Sequence, residues 1–433
     1  MAMEPLDLAR LEFALTTSLH FMFVALTLGL APLILYMQAR WVFGKNRVYE
    51  RMTRFWGQIY LVNYGLGIVT GIVMEFQFGL NWSGLAKLTG DVFGASIALE
   101  TLIAFFIEST FLGLWIFGWH RLPRLLHLAT FAVVTLTAYA SAFFIMVSNS
   151  FMQNPVGYEK HGEGIRLTEF GDLVSNPALQ AALPHLTAAA LSVGAFFVAG
   201  VSAYHFLKRT KDVDLFRRSM RMGLVVAAVA APVVMFSGIS SFPVIGGYQP
   251  AKTSLTSGSA EELAKAEQAL AARFGPGDFT PPAWVHDASQ VMVYIGQALV
   301  LAALLLLPLM LWRWSTRLRP LLYLMVFLIP LPFAAALCGW LVREVGRQPW
   351  AVYGLLRVED ALSDIGPVAI GGSLIAFTAV LFLLAAVDYS LIVRFVRRGA
   401  DEAALKLGAD VTPEENPGVA PATHLSVESR GAS

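Results

Sequence analysis

Three residues of metal-ligating type, His20, His185 and Met292, sit on strongly apolar segments far apart in the chain, and a polar string, Glu344-Val345-Gly346-Arg347-Gln348-Pro349-Trp350, closes another. A His with a Met forms a low-spin heme ligand pair, in which the thioether raises the reduction potential relative to two imidazoles. Two carboxylates, Glu100 and Glu108, lie in one further apolar stretch. In a regular helix they stand about 12 Å and about 80° apart, on one broad face. An ionised carboxylate in hydrocarbon costs several kcal/mol, so each demands a use. The natural ones are a cofactor neighbour for Glu100 and a proton relay for Glu108, with Ser109 and Ser141 able to extend it. Arg347 beside Glu344 would neutralise it or bind a carboxylate of a cofactor. Every one of these types also has an ordinary use: a helix-end His at an interface, a core Met, a Glu bonding a neighbouring helix, an Arg and a Trp anchoring a helix end. Depth in the membrane separates the two readings.

Composition sets that frame. Of 433 residues 56% are hydrophobic and 14% charged, where a soluble domain is nearer a quarter charged. The chain therefore reads as an integral membrane protein, and its long apolar runs fit helices rather than an outer-membrane barrel. A net charge of +1 supports no nucleic-acid partner. The lone Cys338 offers neither an internal disulfide nor a thiolate cluster. The start lacks a basic segment ahead of its apolar stretch, so no cleavable signal peptide is expected.

Stretches long enough to span fall at 13–38, 55–79, 93–119, 125–149, 184–207, 219–241, 288–312, 320–342 and 367–394. The second, with Gly65, Gly67, Gly71 and Glu75, and the sixth, with Pro232, are the least regular. Lys and Arg concentrate in the odd connections: Arg40, Lys45, Arg47, Arg51 and Arg54; Arg121 and Arg124; Lys208 to Arg221; Arg313, Arg317 and Arg319; and Arg394, Arg397 and Arg398 after the last span. The positive-inside rule then gives an all-α integral membrane fold, a nine-transmembrane-helix bundle with the N-terminus outside and the C-terminus cytoplasmic. In that topology His20, Glu100, His185, Met292, Glu344 and Arg347 all fall toward the outer side. Structural accidents would scatter over both leaflets. Glu75 lies near the outer surface and reads as loosely buried. His120, His127 and His205 lie toward the inner side, where snorkelling or helix capping is expected, and His161 and His286 lie outside with no companions. The outer connections 150–183 and 242–287 are long, and the second holds a predicted surface helix from Ser259 to Arg273 ended by Gly275-Pro276-Gly277. No internal repeat is visible, which weakens a transporter reading.

With those residues in view, the chain resembles subunit I of the cytochrome bd ubiquinol/menaquinol oxidases, from Phe13 to about residue 394. The strings that carry the resemblance are Ser18-Leu19-His20-Phe21, Met74-Glu75-Phe76-Gln77-Phe78-Gly79-Leu80-Asn81-Trp82, Gly90-Asp91-Val92-Phe93-Gly94, Ala104-Phe105-Phe106-Ile107-Glu108-Ser109-Thr110-Phe111, Met152-Gln153-Asn154-Pro155-Val156-Gly157 and Gly346–Trp350. The resemblance implies a terminal oxidase of the bacterial cytoplasmic membrane. It would oxidise quinol at the outer face, reduce dioxygen to water and contribute to proton motive force without pumping. It implies that His185 and Met292 hold a low-spin heme b, while His20 and Glu344 each serve one of two high-spin hemes, a second heme b and a heme d (or a third heme b in its place). Glu100 would sit at the high-spin pair, and Glu108 on the proton path from inside. A homologous second subunit and a small single-span subunit are the implied partners, with lipid around them.

The apolar stretches put helices one to six in residues 1–241 and seven to nine in 288–398, and composition makes 399–433 a partly disordered cytoplasmic tail; the resemblance makes 242–287 an outer loop of quinol-binding type. Gln249 and Lys252 match that loop's quinol-binding positions. Two positions depart from the family pattern: Ser257 stands where a Glu is usual, and Gln290 where an Arg precedes the heme Met. A neutral Gln290 removes a cation that disfavours the oxidised heme. These departures leave room for a paralogue with a different electron donor. The other rival, an ion-coupled transporter using Glu100, Glu108 and Arg347, leaves His185 and Met292 without a role.

Overall fold

The computed structural model describes residues 4–311 and 315–400; Arg313 and the predicted tail beyond Ala400 lie outside the described residues. Among the described residues nine helices are long and apolar enough to cross a membrane. They are α1 (Pro5–Gly44), α2 (Arg47–Asn81), α3 (Ser83–Phe117), α4 (Arg124–Gln153), α5 (Pro177–Leu207), α6 (Val213–Tyr248), α7 (Trp284–Leu309), α8 (Arg319–Val345) and α9 (Pro367–Arg398). Most overrun the predicted stretches: α1 starts at Pro5 rather than 13, and α6 runs to Tyr248 rather than 241. Apolar character stops where polar residues begin, but helical hydrogen bonding continues until a cap or a proline ends it.

The caps are local. Lys45 ends α1 in the left-handed region, and the Asn46 side chain accepts the Val48 N–H at 2.9 Å to start α2. Asn176 does the same for Ala178, with Pro177 in the first turn of α5. The two irregular stretches are continuous helices despite their glycines and Pro232. Instead α8 is the interrupted one, at Leu328 and Ile329 just ahead of Pro330, which lacks an N–H.

The basic connections meet at one end of the bundle. Arg51 pairs with Asp212 at 2.5 Å, and the Arg54 guanidinium lies 4.1 Å over the Trp119 ring. At the other end the connection before α5 forms a hairpin, β1 (Tyr158–His161) with β2 (Gly164–Leu167), turned at Gly162 with φ +58. Glu163 in that turn bonds Lys87 of α3. The connection before α7 holds two helices. Ala260–Phe274 matches the predicted surface helix and is capped by Ser259 at the Glu262 N–H, whereas Pro250–Ser257 was not predicted. After α8, β3 (Trp350–Val352) pairs with β4 (Leu356–Arg357). Trp350 is buried against Phe274 and Phe279, so it clamps this loop rather than anchoring a helix at an interface.

α5 is the central column: 78% of its apolar window is buried, against 12% for α3 and 11% for α9 at the edges. It touches α1 backbone to backbone. A Cβ on Gly29 would lie 2.2 Å from the Ala190 carbonyl oxygen, and one on Gly194 would lie 2.4 Å from the Gly29 carbonyl carbon. Small residues at such a crossing maximise packing where no hydrophobic drive exists between helices. Gly194→Leu should therefore lower thermal stability in detergent by at least about 2 kcal/mol. Gly65→Leu, where nothing lies within 4 Å, should leave the melting midpoint unchanged. Equal midpoints for the two variants would contradict this crossing.

Candidate functional site

Both histidines have their proton position fixed by a neighbour. His20 Nδ1 lies 2.8 Å from Thr70 Oγ1, and Thr70 gives its own proton to the Gly67 carbonyl at 2.7 Å. Thr70 must then accept from His20, so the Nδ1 carries the proton and Nε2 keeps a bare lone pair. His185 Nδ1 lies 3.1 Å from the Val234 carbonyl and 3.1 Å from Ser237 Oγ. A carbonyl only accepts, so Nδ1 is again the donor. A ring N–H committed to such a partner orients an imidazole and raises its basicity as a ligand. Glycines leave room beside each ring: Gly71 for His20 and Gly238 for His185. Met292 of α7 points its sulfur at α8, where a Cβ on Gly339 would meet it at 3.0 Å.

Gly29 follows His20 by nine residues, and Gly194 follows His185 by nine. Nine residues are about 13.5 Å of rise and half a turn of phase. The two rings therefore stand at one height on parallel helices, each on the face away from the α1–α5 crossing. His20 turns to α2 and His185 to α6.

Glu100 opens a π-helical segment, Glu100–Phe105, inside α3. Its Oε1 accepts the Ser141 hydroxyl at 2.6 Å and its Oε2 the Thr101 hydroxyl at 3.3 Å. The wider turn takes fewer degrees per residue than a regular helix, so it narrows the angle between Glu100 and Glu108 and keeps them on one face. Such bulges are frequent at functional sites. Glu108 is buried, and its Oε1 has no partner; the nearby Ser109, Tyr60 and Tyr64 hydroxyls are likewise buried without one.

The largest polar cluster surrounds Glu344, which lies in the last turn of α8 rather than beyond it. Its Oε1 accepts from Asn149 Nδ2 at 2.7 Å and its Oε2 from Arg347 Nη2 at 3.1 Å. Arg343 Nε donates to Asn149 Oδ1 at 2.6 Å. Lys252 Nζ donates to the Arg343 carbonyl at 2.9 Å, and Gln249 Nε2 to the Gln153 carbonyl at 2.8 Å. The side-chain cations of Lys252, Arg343 and Arg347 thus face one carboxylate, and Arg347 Nη1 has no partner. Arg10, Trp82, Glu344, Arg347 and Trp350 line one cavity here. Phe21, next to His20, stacks on Trp340 of α8 at 5.0 Å, which ties α1 to this cluster. Burial holds the Lys252 ammonium well below the ordinary lysine range, and Arg343 pushes it the same way.

Of the predicted residues, Glu344, Arg347, Gln249 and Lys252 share this network, while His20, His185, Met292, Glu100 and Glu108 sit on separate helix seams. Ser257 spends its hydroxyl on the Ser254 carbonyl, and Gln290 its amide on the Thr256 carbonyl. Glu75 is exposed, as are His120 and His161. His127 does not snorkel: it is buried, with Nε2 on the Trp115 carbonyl at 2.8 Å and Nδ1 beside Gln38 Nε2 at 3.1 Å. His205 is stacked on Phe216 in the core. Sequence reasoning missed the roles of Asn149 and Gln153, an amide pair one helical turn apart at the C-terminal end of α4. It also missed Glu12, a fully buried carboxylate held by Asn81 at 2.8 Å and Ser373 at 2.9 Å. Starting the first span at residue 13 hid it.

Fold and site together define a multi-pass membrane protein that presents histidine nitrogens, a thioether and a buried carboxylate toward one end of a helical bundle. The chain belongs to the cytochrome bd terminal oxidase subunit I family, whose family model it matches over residues 8–276 and 263–400. It is 36% identical to cytochrome bd ubiquinol oxidase subunit 1 of Bacillus subtilis, across 92% of this chain and 95% of that one. It is 40% identical to cytochrome bd-II ubiquinol oxidase subunit 1 of Escherichia coli over 59% of this chain and 50% of that one. The fold matches the bd oxidase structure from Geobacillus thermodenitrificans with a TM-score of 0.82 at 23% identity, covering 92% of this chain and 99% of that one.

Heme is the cofactor the family implies, and the residues fit it. Two imidazoles present bare Nε2 lone pairs, a thioether faces a glycine, and two guanidiniums, Arg343 and Arg347, against the one carboxylate of Glu344 leave surplus buried positive charge for an anionic edge. Thr70→Val should weaken heme retention at His20 by about 10–100-fold, read by pyridine hemochrome after detergent washing. Undiminished heme content would rule out the Thr70–His20 bond as a ligand support. Seating of Pro250–Ser257 should tighten with pH: the seated Lys252 binds fewer protons than a solvated lysine, so stability rises as pH climbs toward the ordinary lysine value. Protease cleavage of this connection should then be faster at pH 6 than at pH 9, after correction for the protease's own pH dependence.

Proposed function

We propose that this chain is the heme-bearing subunit of a quinol-oxidising terminal oxidase, a multi-pass protein of the bacterial cytoplasmic membrane that takes electrons from quinol at the outer face and reduces dioxygen to water. The observation that carries this reading, together with family membership, is the pair of histidines whose Nδ1 protons are committed to Thr70 and to Val234, each leaving Nε2 free. The clustering of Arg51, Arg54, Trp119 and Asp212 at the opposite end supports an inner position for that end, and so an outer N-terminus and a cytoplasmic C-terminus.

In this reading His185 and Met292 hold the low-spin heme b. His20 and Glu344 each hold one high-spin heme, a second heme b and a heme d or third heme b. When bound, the hemes pass electrons from quinol to dioxygen and activate the latter. The chain's own residues do the rest. Arg347 orients Glu344 through the bond to Oε2. Glu100, tied to Ser141, holds negative charge or a proton beside the oxygen-reducing pair. Glu108, with an unpartnered Oε1, accepts protons from the inner side and hands them toward Glu100. Protons released from quinol leave outside while those consumed enter from inside, which builds proton motive force without a pump.

Gln249 and Lys252 on the outer connection 242–287 dock the quinol, the six helices before that connection and the three after it forming the two parts of the heme scaffold. A second homologous subunit, and a small single-span one, cover part of the apolar surface left on α3 and α9, and lipid covers the remainder. A different electron donor is the second reading, because Ser257 and Gln290 bind the chain's own backbone and present no charge to a quinol.

Purified complex should show b- and d-type bands in a reduced-minus-oxidised spectrum and quinol-driven oxygen consumption; a fully hemylated complex inert toward ubiquinol and menaquinol would favour the second reading. His185→Ala and Met292→Ala should each abolish the low-spin signal while the chain stays inserted. Glu108→Gln should slow oxygen consumption by about a hundredfold with heme content unchanged, and normal turnover there would remove the relay role.

A further inference from the structure

Gln153, in the last turn of α4, is bonded on both sides of the outer cluster. Its Oε1 accepts from Gln249 Nε2 at 3.0 Å and from Lys252 Nζ at 3.4 Å. Its Nε2 donates to Glu344 Oε1 at 3.4 Å and to the Arg343 carbonyl at 3.2 Å. Gln153 and Gln249 are each 1% exposed and Lys252 is 6%. No ligand from outside can touch Gln249 or Lys252 while they are seated this way, yet Gln249 Oε1 is buried with no partner. It is an acceptor that a hydroxyl of an incoming molecule would satisfy, beside an ammonium that would donate to the same molecule.

The segment carrying both residues is held differently at its two ends. Its far end is fixed to α7, through His286 Nδ1 on the Leu255 carbonyl at 3.0 Å and Gln290 Nε2 on the Thr256 carbonyl at 3.3 Å. Its near end is held by Gln153 and by the Arg343 carbonyl. Release at the near end would therefore swing Pro250–Ser257 about the far end. The two halves of the Gln153 amide share one rigid plane, so a change at Oε1 moves Nε2 with it.

We propose that Gln153 is a positioning residue linking donor docking at Pro250–Ser257 to Glu344: docking of a quinol draws Gln249 and Lys252 off its Oε1, and the freed amide re-seats against the Glu344 carboxylate. This rests on reading Gln249 and Lys252 as the donor-docking pair. Seen so, the seating of Gln249 and Lys252 on Gln153 is the latch. The Glu344 oxygen gains a better-aligned donor when the outer site fills, so the orientation of the carboxylate as a ligand reports donor occupancy.

The test uses the whole purified complex, air-oxidised, titrated with short-chain ubiquinone and menaquinone while the absorption spectrum of the hemes is recorded. In the wild type, quinone binding should perturb the high-spin bands. In Gln153→Leu, with heme content unchanged by pyridine hemochrome, that perturbation should fall at least about fivefold, while the apparent KM for quinol falls because no latch has to open. A full perturbation in Gln153→Leu, or none in a wild type that binds quinone, overturns the proposal. If Gln153→Leu does not retain heme, Gln153→Glu serves: it keeps oxygens for Gln249 and Lys252 but has no donor for Glu344, and it should lose the perturbation in the same way. Lys252→Met separates the two layers. Quinone binding weakened about tenfold there upholds the docking pair whatever Gln153 does; unchanged binding removes the docking pair and the link with it.

Discussion

The bundle depends on one contact, the backbone of α1 against the backbone of α5 at Gly29 and Gly194. Inside a membrane no hydrophobic drive presses helices together, so the spacing is set by how closely main chains approach. At this crossing the approach is as near as any side chain's absence permits. It makes α5 the central column and fixes α1 beside it in parallel. Five more helices take their places on these two: α2 and α9 on α1, α6 chiefly on α5, and α4 and α8 on both; α3 then packs on α4, and α7 on α6 and α8. The positions of His20 and His185 follow from the same contact, since each lies nine residues, about two and a half turns, outward of its glycine.

That relationship also explains why the two rings occupy separate seams. Half a turn of phase puts each on the face away from the crossing, where it meets α2 or α6 and not its counterpart. Satisfying buried polar atoms then completes each seam locally. Thr70 takes the His20 proton only because its own is spent on Gly67, and Val234 takes that of His185 because a carbonyl has none to give. At the Glu344 end the same rule acts on a larger scale. Two amides, Asn149 and Gln153, distribute hydrogen bonds among Arg343, Lys252 and the Glu344 carboxylate, and Arg347 bonds that carboxylate directly, in a cluster whose members would be ruinous to bury alone.

Much of this was legible in the sequence. The nine helices among the described residues, and the common height of His20 and His185, needed only hydropathy and the alternation of Lys and Arg. The seams were not legible, because which helix faces a given ring depends on crossings set by residues such as Gly29, which carry no chemical signal of their own. Glu12 escaped because a hydropathy boundary was taken as a helix boundary. The helix Pro250–Ser257 escaped because its residues are polar and small; tertiary hydrogen bonds to Gln153, Arg343, His286 and Gln290 hold it, and propensity does not. The wide turn at Glu100 was hidden for a related reason: a π segment and an α segment share the same apolar pattern.

The interruption of α8 ahead of Pro330 has a consequence for how motion travels. Above it, Gly339 faces the Met292 sulfur and Arg343 and Glu344 belong to the polar cluster; below it, Leu322 and Met325 are locked in apolar packing against α5. A continuous helix is a stiff rod that would carry a tilt at one end to the other. A rod missing hydrogen bonds at its middle bends there instead. The half that carries Arg343 and Glu344 can therefore tilt without carrying along the half packed on α5, so the break works as a flexure between the polar end of the bundle and its apolar footing.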